Sequence, residues 1–203
     1  MFPMLVLASA SPRRRELLTQ AGFEFQVFPS SVPEEHHAGE DAISFATRLA
    51  REKALAVFDE QSALDAPENP LLVLGADTIV VVDEDILGKP ANAADTVRML
   101  TRLSGRTHQV ITGVSLISRV GVEAAAEVTF VRMLTLSPAE IAAYVATGEP
   151  MDKAGAYAIQ GHAARWIPRI QGCYFNVVGL PLALVTSLVE GMHRRLKRPR
   201  TEC

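Results

Sequence analysis

The chain has 203 residues, of which 48% are hydrophobic and 21% charged, and its formal net charge is −3. This composition is typical of a globular protein with a sizeable core, and the slight acidity argues against a nucleic-acid-binding protein held by bulk charge. No apolar stretch reaches the roughly 18 residues that a membrane span needs, and the short apolar run near the start lacks the charged flank of a signal peptide.

Strands and helices alternate along the chain, which predicts an α/β protein with a mixed sheet. Apolar runs and period-two alternation predict strands over residues 4–9, 23–28, 108–116 and 127–134, and two more within 71–82. Capping residues and helical periodicity predict helices over 12–20, from 41 to about 57, from 92 to about 104, from 138 to about 148, and before residue 193. We expect a single α/β domain over residues 1–192 and a disordered basic tail over 193–203.

Glycines interrupt this pattern in three places. The segment Gly75–Thr78 predicts a kink that divides the apolar stretch over 71–82 into two strands. A turn and the loop Gly88-Lys89-Pro90 follow. Residues 148–166 contain several glycines and little periodicity, so they are predicted to be a loop.

Three successive arginines, Arg13, Arg14 and Arg15, stand where the first strand leads into a helix that Ser11 is expected to cap. The first turn of a helix prefers anions to cations. The arginines are therefore poorly placed unless they meet an anion there.

Two further charged residues have apolar neighbours. Asp77 follows LLVLGA and precedes the apolar run IVVV. Buried acids need partners and concentrate at functional sites, which makes Asp77 a candidate site residue. The alternative is a carboxylate that only accepts hydrogen bonds from backbone amides at the kink. Lys53 borders the apolar stripe of the second helix, so its ammonium points either into a site or out to solvent.

Polyphosphate chemistry would use several polar loop residues. Lys89 between a glycine and a proline is a candidate point charge for a phosphate. Glu34 and Glu35 precede the second helix, and either could join Asp77 as an oxygen ligand of Mg²⁺. Taken with the arginines, this inventory fits a polyphosphate and a divalent ion. It leaves a kinase, a pyrophosphatase and a nucleotide-binding regulator open.

Seven segments, in order from about residue 5 to residue 185, resemble the Maf family of nucleoside triphosphate pyrophosphatases. They are LASASPRRRELL, RLAREKA, GADTIV, GKP, LSGRTHQVITGV, GEPMDKAGAYAIQG and VVGLPL. The resemblance implies hydrolysis of a nucleotide between its α- and β-phosphates with a divalent metal cation such as Mg²⁺ or Mn²⁺. It also implies an elongated fold similar to that of inosine triphosphate pyrophosphatases: a mixed sheet flanked by helices, two lobes around a cleft, and a homodimer.

The resemblance also implies roles for individual residues. Asp77 is similar to the proton acceptor that activates water, and Glu35 to the loop acid that holds the metal together with Asp77, although Glu34 and Glu35 could exchange roles. The positions similar to the family's phosphate-binding residues are Ser9, Ser11, Arg13, Arg14, Lys53 and Lys89.

Three positions resemble the subgroup that prefers dTTP and UTP, with modified pyrimidine nucleotides as further candidates: Arg13, Thr78 and Gln160. A glutamine amide offers both a donor and an acceptor to a uracil edge. The alternatives are a 7-methyl-GTP pyrophosphatase and a nucleotide-sensing regulator of cell division. The two cysteines, Cys173 and Cys203, form no disulfide framework, which favours a cytoplasmic protein, and neither a membrane nor a nucleic-acid partner is expected.

Overall fold

A computed structural model describes residues 4–197 of the chain. The strands are β1 (Met4–Leu7), β2 (Phe25–Val27), β3 (Leu71–Val82), β4 (Asp85–Leu87), β5 (Thr107–Ser118), β6 (Gly121–Arg132) and β7 (Arg169–Gln171). The α-helices are α1 (Pro12–Gln20), α2 (Ala42–Glu60), α3 (Ala93–Leu103), α4 (Pro138–Ala146), α5 (Tyr174–Val178) and α6 (Leu182–Leu196). Short 3₁₀ helices cover Ser62–Leu64, Glu149–Asp152, Ala154–Ala156 and His162–Trp166.

The seven strands form one mixed sheet in the order β2-β1-β3-β5-β6-β7, with β4 paired to β3. Strand β1 runs parallel to both β2 and β3, whereas the pairs β3–β4 and β6–β7 are antiparallel. The predicted α/β class, a mixed sheet with flanking helices, is confirmed.

The chain forms two compact units, where the sequence predicts a single α/β domain over 1–192. The first unit consists of the described residues of Met1–Asp77, Gly113–Ala126 and Gly179–Cys203, and the second of Thr78–Thr112 and Glu127–Val178. In the first unit a buried apolar cluster includes Val6, Val57 and Val73. In the second, a larger cluster includes Leu100 and Trp166.

The predicted kink at Gly75–Thr78 is wrong, because β3 is a single strand from Leu71 to Val82. A Cβ atom at Gly75 would lie 2.1 Å from the carbonyl oxygen of Ala50, and one at Gly113 would lie 2.3 Å from that of Ala46. These glycines let the backbone of α2 approach the strands of the first unit closely. A glycine used for close packing looks the same in the sequence as a glycine used for a bend.

Helix starts are predicted well, because their signals are local. Asp41 caps α2 through bonds from Ile43 N and Ser44 N, and Asn92 caps α3 through a bond from Asp95 N. Ser137 forms a capping box at the start of α4. Strand β4 was not predicted, and residues 148–166 contain 3₁₀ turns that were predicted to be loop.

The end of the chain differs from the prediction in two respects. The apolar pair Val177-Val178 predicts the end of a strand, but both residues belong to α5. Helix α6 continues through Leu196, so the first four residues of the expected tail are helical, and residues 198–203, including Cys203, lie outside the described part of the chain. None of the helices within 4–197 has the length and apolar composition needed to cross a bilayer.

Candidate active site

Asp77 and Lys53 form a buried ion pair in the first unit. They are 6% and 7% exposed, and Lys53 Nζ lies 2.5 Å from Asp77 Oδ1. This pairing follows from the close approach of α2 to β3 at Ala50 and Gly75. Asp77 is two residues after Gly75 and therefore lies on the same face of the strand. Lys53 is three residues after Ala50 and therefore lies on the same face of the helix. Lys53 therefore points into the protein, which the sequence left open.

Glu34 brings a second carboxylate to the same ammonium. Its Oε1 lies 2.6 Å from Lys53 Nζ. The adjacent Glu35 is exposed, and its backbone carbonyl accepts a hydrogen bond of 2.8 Å from Arg48 Nη2. Arg48 also donates to both carboxylate oxygens of Glu40, at 2.7 and 2.8 Å, which ties the acidic loop to α2. Of the two candidate loop acids, Glu34 is the one whose side chain meets Lys53.

The start of α1 supplies a guanidinium and a hydroxyl beside these charges. Arg14 Nη1 donates to Ser9 Oγ at 3.1 Å, and Arg14 Nε donates to the carbonyl of Gly179 at 2.9 Å. The backbone N–H of Ser11 donates to Ser9 Oγ at 3.3 Å. Ser11 occupies the N-cap position as predicted, but its own side chain makes no capping bond.

The charges of the first unit influence one another's protonation. Burial lowers the pKa of Arg14, while the negative charges of Asp77 and Glu34 oppose that shift. Burial raises the pKa of Asp77, and Lys53 and Arg14 act in the opposite direction. A carboxylate with a raised pKa is a stronger base than an exposed aspartate, so Asp77 suits the removal of a proton from water.

The donor set fits a hard divalent cation. No group of three His, Cys, Asp or Glu side chains within residues 4–197 is placed to hold a metal by itself. Two carboxylates, those of Asp77 and Glu34, nevertheless meet at the Lys53 ammonium. Mg²⁺ is commonly bound by one or two carboxylates together with substrate phosphates, so these two oxygen donors suit it.

In the second unit a chain of hydrogen bonds begins at Thr78, the residue after Asp77. The hydroxyls of Thr78 and Thr112 are 3.0 Å apart, and Thr112 Oγ1 donates to the carbonyl of Asn176 at 3.1 Å. Asn176 Nδ2 donates to Thr129 Oγ1 and to the carbonyl of Val110, both at 2.9 Å. Sequence reasoning missed Thr112, Thr129 and Asn176, because isolated polar residues in apolar surroundings give no periodic signal.

The remaining predicted residues divide between the units. Arg13 is half-buried on α1 in the first unit, whereas Lys89 and Gln160 are exposed in the second. The structure thus brings five sequence candidates together within the first unit: Ser9, Arg14, Glu34, Lys53 and Asp77.

Comparison with known proteins identifies the family. The model of the Maf-like proteins matches residues 4–192. The chain belongs to the Maf family. It is 54% identical to a dTTP/UTP pyrophosphatase of Koribacter versatilis over 89% of this chain and 90% of the relative, and 55% identical to one of Geobacter metallireducens over 89% and 92%.

Among solved structures, this Maf chain is similar to one titled as a nucleoside-triphosphatase, dITP/XTP pyrophosphatase, from Mycobacterium abscessus. The TM-score is 0.44 at 14% identity, covering 96% of this chain and 100% of that one. A likeness this weak bears on neither fold nor function.

Proposed function

We propose that this chain is a nucleoside triphosphate pyrophosphatase that hydrolyses dTTP and UTP to the monophosphate and pyrophosphate. The observation that carries the proposal is the buried carboxylate of Asp77, held by Lys53 beside Arg14 in the first unit. The Maf relatives named dTTP/UTP pyrophosphatases, about half identical over most of the chain, support the choice of substrate.

The triphosphate would be held by the cations at and near the start of α1. Arg14, Arg13 and Lys53 neutralise phosphate oxygens, and the backbone amides of the first turn of α1 favour the same anion. Ser9 and Ser11 contribute a hydroxyl and an amide at this helix start, and the resemblance to the family implies that Lys89 also binds phosphate. The poorly placed arginines of the sequence thereby gain an anionic partner.

Asp77 acts as the general base. It takes a proton from water while the water oxygen bonds to one of the two phosphorus atoms that flank the α–β bridging oxygen. The bond from that phosphorus to the bridging oxygen breaks, which releases the monophosphate and pyrophosphate. Lys53 keeps the Asp77 carboxylate oriented and offsets its charge in the apolar surroundings.

A divalent cation, Mg²⁺ or Mn²⁺, belongs to this proposal. Asp77 and Glu34 would hold it, with Glu35 as the alternative loop acid that the resemblance implies. A bound divalent cation offsets phosphate charge and lowers the pKa of bound water. Arg13, Thr78 and Gln160 would recognise the uracil or thymine base, and we also propose a cytoplasmic homodimer.

The decisive experiment measures pyrophosphate release by the whole chain from dTTP, UTP, dCTP, ITP and 7-methyl-GTP, with Mg²⁺, with Mn²⁺ and after exhaustive chelation. We expect dTTP and UTP to have the highest kcat/KM and activity to disappear on chelation. Preference for 7-methyl-GTP would overturn the substrate assignment, and full activity after chelation would overturn the role of the metal. Nucleotide binding without any hydrolysis would indicate a sensor.

A further inference from the structure

The segment that carries Gln160 is fastened at both ends to two side chains that the proposed mechanism does not use. The backbone N–H of Ala158 donates to the hydroxyl of Tyr144 at 3.2 Å. The backbone N–H of His162 donates to both carboxylate oxygens of Glu149 at 3.2 Å. Gln160 stands midway between these two attachment points, and its side chain is exposed.

The two anchoring side chains are joined to each other. Tyr144 donates its hydroxyl proton to Glu149 Oε1 at 2.7 Å, so one hydroxyl links Ala158 to the carboxylate. Burial and the neighbouring Glu149 both raise the pKa of Tyr144, which keeps the hydroxyl protonated as a donor. Glu149 also accepts from the backbone N–H of His162, so each hydrogen bond between the segment, Tyr144 and Glu149 joins a donor to an acceptor.

The anchor lies in a buried part of the second unit. Tyr144 is 2% exposed on α4, and its ring packs edge-on against Trp166 with the ring centroids 5.3 Å apart. The chain turns at Gly148 in the left-handed conformation, with a φ of 73°, before Glu149 begins a 3₁₀ helix. The carbonyl of Glu149 accepts a further hydrogen bond of 2.6 Å from Lys153 Nζ.

Gly161 shows how closely the carboxylate sits against this segment. A Cβ atom at Gly161 would lie 2.1 Å from Glu149 Oε1 and 2.5 Å from its carboxyl carbon. The backbone of Gly161 is extended, with a φ of −104°, and would accept an alanine. The obstacle to a side chain at this position is therefore the Glu149 carboxylate, which occupies the space beside Gln160.

We propose that Glu149, which holds His162 directly and Ala158 through the Tyr144 hydroxyl, is a positioning residue that fixes the segment 158–162 and thereby sets the base preference exerted by Gln160. This inference rests on the proposed function, in which Gln160 recognises the pyrimidine base. Glu149 itself would touch no substrate. It removes the freedom of the segment before the nucleotide arrives, so that Gln160 loses less entropy on binding.

The test measures kcat/KM for dTTP and for dCTP, and takes their ratio, in the wild type and in Gln160→Ala, Glu149→Ala, Glu149→Gln and Tyr144→Phe. We expect Glu149→Ala to lower the ratio about tenfold, close to the effect of Gln160→Ala, since the loss matches one hydrogen bond to a charged group. Tyr144→Phe should lower it less, about threefold to fivefold, because Glu149 keeps His162. Glu149→Gln keeps one acceptor oxygen and replaces Glu149→Ala in this comparison if the alanine variant does not fold.

Gly161→Ala, alone and combined with Glu149→Ala, tests whether the two positions act through one contact. Alone, the new methyl group should displace the carboxylate and lower the ratio as Glu149→Ala does. Added to Glu149→Ala, the methyl group no longer meets this carboxylate, so the double variant should resemble Glu149→Ala alone. Two effects that multiply in the double variant would contradict the proposed contact.

Glu140→Gln is the matched control. Glu140 accepts from Ser137 N at 2.8 Å and from Trp166 Nε1 at 3.3 Å, so its loss destabilises the same region without touching residues 158–162. It should lower the melting temperature and leave the ratio unchanged. A wild type without preference for dTTP would overturn the proposed function and this inference with it. A wild type with that preference, and Glu149 and Gly161 variants that retain it, would overturn the inference alone.

Discussion

The two units bury polar groups of different kinds. Among the buried polar residues of the described chain, the two that carry charge, Lys53 and Asp77, lie in the first unit. Those of the second unit are neutral: Thr96, His108, Thr112, Thr129 and Asn176. A buried charge is costly unless it is paired, whereas a neutral network costs little once its donors and acceptors match. Among the described residues, the first unit thus buries a compensated pair of charges and the second unit buries neutral polar groups.

The largest expected effect is that of Asp77→Asn on hydrolysis. The amide cannot take a proton from water, so kcat should fall by roughly 100-fold or more. Circular dichroism and thermal unfolding should show a folded protein, because the amide oxygen still accepts from Lys53. A folded variant that retains more than a tenth of the wild-type kcat would exclude Asp77 as the base.

Removing the ammonium tests whether charge pairing governs the first unit. Lys53→Met leaves Asp77 and Glu34 without their shared cation, and breaking a buried pair in this way costs about 3–5 kcal/mol of unfolding free energy. Without Lys53 the pKa of Asp77, already raised by burial, should rise further. A carboxyl group whose pKa is raised on folding stabilises the folded state at pH values below its pKa in the unfolded chain. This stabilisation is lost as the pH rises through the pKa of the folded state.

The defect of Lys53→Met should therefore be larger at pH 8 than at pH 5 in urea unfolding. The exposed Arg51→Met on the same helix is the control, with a change within about 0.5 kcal/mol. A defect of Lys53→Met that does not depend on pH would argue against an uncompensated carboxylate.

In the second unit, His108 provides a pH-dependent term of the opposite sign. It is 2% exposed, its Nε2 lies 2.8 Å from the Tyr157 hydroxyl, and burial lowers its pKa to about 4. The unfolded histidine binds a proton near pH 6.5, so folding stability falls as the pH drops from about 6.5 to about 4, by about 3 kcal/mol at most.

Replacing His108 by a residue that does not titrate in this pH range should remove that loss of folding stability. We expect His108→Gln to flatten the dependence of the unfolding free energy on pH over this range. An unaltered slope in His108→Gln would show that His108 is not the group whose protonation lowers stability between these pH values.

The smallest effect is expected for Thr112→Val, which removes the hydroxyl between Thr78 and the carbonyl of Asn176. The free energy of unfolding should fall by about 1 kcal/mol, the usual cost of one neutral hydrogen bond. Thr112→Ser keeps the hydroxyl and should recover most of the hydrogen-bond loss. If the valine variant were as stable as the serine variant, this link would contribute nothing measurable.

Local signals explain what could be predicted from the sequence. The starts of α2, α3 and α4 follow from the capping residues Asp41, Asn92 and Ser137, each of which acts within its own first turn. The burial of Asp77 follows from its apolar neighbours on a strand. The family follows from seven ordered segments, and the family model confirms it.

Long-range contacts decided the rest. Gly75 allows α2 to pack closely against β3 and does not form a bend. This packing depends on Ala50, 25 residues earlier in the chain. Glu34 and not Glu35 meets Lys53, because Arg48 fixes the backbone of the acidic loop. The sequence by itself determined the α/β class, the helix starts and the candidate charges, since these depend on neighbouring residues. Only the tertiary structure decided which charges pair and which side chains hold Gln160's segment, since those bonds join residues far apart in the chain.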